Sequence, residues 1–266
     1  MPTESERFFN FSALDGVALA AERGRLHGDS MPAWVAGGIG PIIELALTAA
    51  IGHLPRPSAA PWLALGGLSG FAAAMNNDQT LWLQDDGSMG FVRTRTARPG
   101  YSTAWNSFRY AADRAAVASG FAKSDAAKFI GALTELHDNV DEHSGRPKSG
   151  LVGFQGRTGE FEMVVADRGV GVLESLRSGP DYRDLKDSGS ALELALTEGV
   201  SRYGANSGRG LGYRPIFVGL ANHNGCLRFR SGDHALVIDG RFSLMTARVA
   251  PKATMAGFLA SVVVSA

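Results

Sequence analysis

The residues with the most chemical potential lie between Lys128 and Gly145, in the stretch K-F-I-G-A-L-T-E-L-H-D-N-V-D-E-H-S-G. Glu135 and Asn139 are four residues apart, and Glu142 and His143 follow three and four residues further on. Residues so spaced share a helix face, because one turn takes about 3.6 residues. A carboxylate, a carboxamide, a second acid and an imidazole on one face suit a hard cation such as Mg²⁺. Such a cation takes oxygen ligands and keeps waters and substrate phosphates around it. The same positions also fit a plain solvated helix face, with early acids helping the helix dipole. The helix itself is signalled by Phe129, Ile130, Leu133, Leu136 and Val140, which recur every three or four residues as one buried stripe.

Two later stretches bear on that choice. Glu160–Gly171, E-F-E-M-V-V-A-D-R-G-V-G, is an apolar strand that stops at Asp167 and turns through two glycines. Ser207–Gly212, S-G-R-G-L-G, is a glycine cluster that runs into the apolar segment Tyr213–Leu220. Either glycine motif is weak alone, but their order and spacing after the helix are specific. From about Ser102 to Ala266 the chain resembles the Bergerat-fold ATPase superfamily, which includes gyrase, the chaperone ATPases, histidine kinases and MutL. E-L-H-D-N-V-D-E-H-S is similar to its N box, D-R-G-V-G to its D-x-G-x-G box, and G-R-G-L-G to its G-x-G-x-G lid box.

The resemblance implies a two-layer α/β sandwich of the α+β class, with ATP and Mg²⁺ as cofactors. Asn139 would ligate the metal, since a neutral amide oxygen adds no repulsion beside an anionic triphosphate. Glu135 would orient or deprotonate the attacking water or hydroxyl. Asp167 would accept a hydrogen bond from the adenine amino group, with Gly169 and Gly171 letting the base approach. Gly208, Arg209, Gly210, Leu211 and Gly212 would line the phosphates, the glycines offering backbone N–H groups at a helix start that Pro215 also favours. Arg209 and Arg214 add charge there or are simply solvated. His143 either reaches phosphate or bonds Ser144 or backbone, and Asp138 and Glu142 read as helix-face residues rather than further ligands.

The chain departs from the family pattern at Gly257-Phe258, where many members carry glycine-threonine; the threonine's support is then missing or supplied elsewhere. I-G-H-L-P-R-P around His53 lacks the acidic neighbour of a sensor-kinase phosphoacceptor and is broken by prolines. The resemblance implies Mg²⁺-dependent ATP binding with slow hydrolysis, used as a nucleotide-dependent switch in a bacterial-type regulatory system. A protein-serine kinase like the anti-sigma regulatory kinases is the alternative, and a non-catalytic module that binds ATP or ADP is a third. Dimers are common in the superfamily, so a homodimer fits, although no heptad signals an interface.

These motifs need a scaffold to position them. With 266 residues, one large or two modest domains are affordable, and we expect an α/β accessory region over about 1–100 and the nucleotide-binding domain over 101–266. The accessory region or the lid would meet a protein partner. Lys+Arg and Asp+Glu both number 26, which predicts neither a nucleic-acid footprint nor an anionic membrane partner. The single cysteine, Cys226, excludes an intrachain disulfide and fits a reducing, cytoplasmic setting. No basic start with an apolar core opens the chain, and the apolar run 35–51 contains Pro41, Glu44 and three glycines, so it reads as a buried helix or strand–helix unit.

Along the chain, the prolines at 55, 57 and 61 predict a loop, and Leu81–Leu83 with Met89–Val92 predict a hairpin around Asp86-Gly87. The arginines at 93, 95 and 98 before Pro99-Gly100 mark a basic boundary loop. Ser102–Gly120 reads as a helix, and Ser124 as the cap of the motif helix. Leu151–Gln155 and Glu160–Ala166 read as a hairpin, with one helical piece at Ala191–Thr197 in the long segment 172–206. A helix over Tyr213–Ala221 is followed by strands at Leu227–Ser231, Ala235–Asp239, Phe242–Val249 and Gly257–Val264.

Overall fold

The structure, a computed structural model, describes residues 7–26, 31–52, 54–77, 79–94, 102–196, 223–239 and 247–266. It is an α+β fold with a large antiparallel sheet and a small parallel one. The parallel sheet joins β1 (Phe8–Phe9), β2 (Trp34–Ala36) and β3 (Leu63–Ala64) in that order. Helices α1 (Phe11–Glu22) and α2 (Ile39–Ala49) follow the first two strands as crossovers, and α3 (Ser69–Asn76) comes after the third. The 35–51 run is therefore a strand–helix unit, the second of the two forms its pattern allows. The proline-broken segment contains the short 3₁₀ turn Pro57–Ala59.

The large sheet has the order β4-β5-β6-β7-β9-β8. Its members are β4 (Leu81–Leu83), β5 (Met89–Arg93), β6 (Leu151–Arg157), β7 (Glu160–Asp167), β8 (Cys226–Asp239) and β9 (Arg248–Ser265). Helices α4 (Thr103–Ala118) and α5 (Lys123–His143) join β5 to β6, while α6 (Gly171–Arg177) and α7 (Ser188–Ala195) follow β7. Ser102 caps α4 by accepting the Trp105 N–H at 3.1 Å. Ser124 does not cap α5. The N-cap is Ala122, with no side-chain bond, because the helix starts one residue before the serine.

Strand alternation sends residues of β7 to two different cores. Phe161, Met163 and Val165 pack with Phe129, Ile130 and Leu133 of α5, whereas Val164 and Ala166 pack with Ile39, Ile42 and Ile43 of α2. Helices thus cover both faces of the sheet, giving three layers where two were expected. The N-terminal segment forms the third layer, since an antiparallel sheet apolar on both faces needs cover on both. A division near residue 100 does not separate the strands either: β5 pairs with β6 from Met89↔Gln155 to Arg93↔Leu151.

Charged side chains fasten that third layer. Glu44, in the middle of apolar α2, is buried and bonds Arg228 at 2.7 and 2.8 Å and Arg230 at 3.0 Å. Arg228 also meets Asp15 of α1 at 2.6 Å, and Asp15 meets Lys252 at 2.7 Å. Burial works against the charge of Arg228, but Glu44 and Asp15 outweigh it and hold the guanidinium above its ordinary range. Glu162 of β7 supplies the cap that the N-terminus of α2 lacks, accepting the N–H groups of Ile39 at 3.0 Å and Gly40 at 2.8 Å. Burial nonetheless raises its carboxyl above the usual range.

Candidate functional site

Asp167 ends β7 on the same face as Phe161, Met163 and Val165, the face that carries α5. It is 3% exposed. Among the described residues, its carboxylate receives one hydrogen bond, from the Gly169 N–H to Oδ1 at 2.5 Å. Burial pushes the carboxyl up to about 6, against the lowering effect of that bond. A buried acid with a single donor is a group prepared for another.

The turn after Asp167 is built by close approach. A β-carbon on Gly169 would lie 2.1 Å from the Ser144 carbonyl oxygen. That same oxygen accepts the Val170 N–H at 2.8 Å, so the end of α5 is tied to the D-R-G-V-G turn. On the other side Gly257 has a φ of 74°, and a β-carbon there would lie 2.2 Å from the Asp167 carbonyl oxygen. Gly171, with a φ of 78°, then opens α6. Each of these contacts sets where the carboxyl of Asp167 can stand.

Phe258 pairs with Asp167 across β9 and β7 and packs edge-on against Phe229 at 5.0 Å. It therefore fills the place next to the acid with an apolar ring. A hydroxyl comes instead from the neighbouring strand: Ser231 Oγ donates to the Gly257 carbonyl at 3.0 Å and accepts the Val172 N–H at 2.9 Å. Ser231 joins β8, β9 and α6 around the turn. Its spacing gives no sign of this in the sequence, since the contact spans elements 59 residues apart.

On α5 the expected stripe is buried in full, from Phe129 to Val140. Glu135 and Glu142 are exposed, and Asn139 and His143 are half-buried beside them. Asn139 stands about 7–8 Å and Glu135 about 13 Å up the helix axis from Ser144, at 1.5 Å per residue. The helix therefore places the amide nearer the Asp167 turn and the acid farther along. His143 Nε2 lies 4.0 Å from Glu142 Oε2. Glu135, Asn139 and Asp167 thus come to one side of the sheet.

A histidine within the same motif, not singled out in the sequence, turns inward. His137 is buried, stacks on Trp105 at 4.2 Å and shares a 3.1 Å hydrogen bond with Thr94 Oγ1 at the end of β5. Its position between Leu133 and Val140 on the stripe is the signal that could have found it. It locks α5 against α4 and β5, and so holds the exposed acids in place.

For Mg²⁺, no group of three or more His, Cys, Asp or Glu able to hold a metal occurs among the described residues. A cation whose ligands are largely phosphates and waters does not need one, and the Asn139 amide with exposed acids nearby fits that mode. Gly208, Arg209, Gly210, Leu211 and Gly212 of the glycine box lie outside the described residues, as do Arg214, Pro215 and His53. Among the described residues, the long segment after Asp167 holds two helices where one was expected, since α6 precedes α7. Asp187 caps α7 by accepting the Ser190 N–H at 2.8 Å. No helix among the described residues is long and apolar enough to cross a membrane. Comparison with known protein families, with curated proteins and with solved structures finds no match.

Proposed function

We propose that the chain binds ATP with Mg²⁺ in a Bergerat-type site, hydrolyses it slowly and works as a nucleotide-dependent switch. The observation that carries this reading is Asp167, a buried carboxyl raised to about 6 with one backbone donor, set between two glycine-only contacts. An exocyclic amino group arriving there supplies the missing donor, and a carbonyl in its place would meet the acid without one. Adenine carries the former and guanine the latter, which makes the site adenine-selective. The antiparallel sheet with α4 and α5 on one face supports the same fold assignment, with the third layer as an addition.

In this mechanism α5 brings two groups to the phosphates. The Asn139 amide oxygen would hold Mg²⁺, whose bound charge neutralises and orients phosphate oxygens. Glu135, exposed on the same helix, orients a water and accepts its proton as the oxygen attacks. His137 keeps the helix in register from below through Thr94 and Trp105.

Calorimetric titration with ATP and GTP, each with and without Mg²⁺, tests the reading on wild type and Asp167→Ala. Saturable, Mg²⁺-assisted binding of ATP but not GTP, lost in the variant, is expected. Equal binding of both nucleotides, or none, would refute it. Glu135→Ala should retain ATP binding while phosphate release falls by about 100-fold or more, as for loss of a general base.

A further inference from the structure

Where β8 bulges, it grips both helices that follow β7. Its register against β9 shifts between Ser231 and Gly232 and again between Gly232 and His234. Ser231 holds the start of α6 through the Val172 N–H, and the next three residues meet the first turn of α7. Gly232 has a φ of 58°, and a β-carbon there would collide with Ser188 Oγ. His234 lies against Gly189, where a β-carbon would stand 2.8 Å from its ring Cδ2. Strand and helix each present a glycine where the other needs room.

Three ionisable groups share this contact. The half-buried ring of His234 has Nδ1 2.8 Å from Asp233 Oδ1, and since an ionised carboxylate only accepts, Nδ1 carries a proton. Asp187 caps α7 by accepting the Ser190 N–H. Its Oδ1 and the His234 Nε2 each lie 3.1 Å from the β-carbon position of Gly189, so at most about 6 Å separates them. That is within reach of a charge, and the second proton of a charged imidazole would sit on Nε2. Among the described residues, the other charges on the elements packed against this stretch of β8 are engaged elsewhere or point away. Arg230 bonds the His234 carbonyl, Glu174 and Arg177 of α6 pair with each other, and Glu193 is exposed farther along α7. On β9, Pro251 stands opposite His234, and Lys252 pairs with Asp15.

We propose that His234 is a proton-operated clasp for α7: the charged ring joins Asp233 of β8 to Asp187 of α7, and the neutral ring lets the first turn of the helix open more often. The Ser190 N–H and hydroxyl hold Asp187 below the usual carboxylate range, with His234 adding to their effect. Partial burial works the other way on Asp233, but His234 and Ser188 hold it low as well. Both carboxylates therefore stay ionised across the range in which an imidazole ordinarily changes charge, about pH 5–8. The attraction needs the charged ring, so the clasp is closed at the acid end of that range and released as pH rises. The device stands independently of the nucleotide reading.

Hydrogen–deuterium exchange of the full chain at about pH 5.5 and 7.5, corrected for the intrinsic exchange rate, tests the clasp. Protection of the α7 amides, relative to those of β6 and β7, should fall by about 3-fold or more at the higher pH. His234→Gln should remove that pH dependence. Asp187→Asn, which keeps a capping side chain but not its charge, should also remove it. Asp167→Asn should retain it, which separates the clasp from titration of Asp167. The proposal is overturned if α7 protection is the same at both pH values or rises with pH, if either the glutamine or the Asp187 variant keeps the wild-type dependence, or if Asp167→Asn abolishes it.

Discussion

Asp167 makes a prediction about pH that no other group in the motif makes. Its carboxyl stands at about 6 in the folded chain against an ordinary 3.8. At 1.36 kcal/mol per unit, that difference corresponds to roughly 3 kcal/mol. Because the folded value is raised, the stabilisation belongs to the protonated form: it is fully present below about pH 4 and is lost as pH rises through about 6. Urea unfolding of wild type and Asp167→Asn across this range should show wild type losing roughly 3 kcal/mol relative to the variant. A flat difference would mean the acid is not buried as described. A ligand that donates to the carboxylate favours the ionised form, so its affinity should climb through the same window. Adenosine, which has no phosphate to titrate, should bind more tightly at pH 7 than at pH 5, with a midpoint near 6. The glycine contacts act at the same scale. Gly169→Ala would force Ser144 and Asp167 apart and should cost about 1–3 kcal/mol along with nucleotide binding, read by thermal unfolding and titration.

Elements whose evidence is local were legible, and those set by distant partners were not. The stripe on α5, the β6–β7 hairpin and the strand–helix unit at 34–49 follow from periods of 3.6 and 2 and from turn residues. The start of α5 was misplaced because Ser124 looks like a cap, yet Ala122 occupies that place. Helix α6 escaped notice because seven residues are too few for a period, and it depends on Ser231 and on Arg177, whose Nε donates to the Leu185 carbonyl at 2.7 Å. Strands expected separately at 227–231 and 235–239 are one strand with irregular register near Gly232, since β9 bridges the break. The role of Glu44 was also hidden: it read only as a polar interruption of an apolar run. Glu44→Gln should cost about 3–5 kcal/mol, because it leaves Arg228 and Arg230 buried without their shared carboxylate. Chemical denaturation measures this directly, and a cost near zero would show the pairs to be solvated.

At the scale of the molecule, the candidate site depends on residues far from its motifs. The arginine cluster before Pro99-Gly100 reads as a boundary near residue 100, but the large sheet has strands on both sides of it, β4 and β5 before and β6 after. The second core joins Phe9, Leu14 and Ile39 to Val164 and Leu259. A fragment of residues 102–266 should therefore lack a cooperative thermal transition and bind a dye for exposed apolar surface, whereas the full chain should melt cooperatively. Strand order carries one more consequence, for the nascent chain. The strand that follows all the others described, β9, is not an edge; it lies between β7 and β8 and pairs with both. On the ribosome, β7 must wait for its described partner on one side, and β8 for its one strand partner among the described residues, until Arg248–Ser265 has left the exit tunnel. The contact between Asp15 and Arg228, 213 residues apart, closes equally late. Closure of the large sheet is thereby deferred until β9 emerges, with the Asp167 turn among the parts that set late.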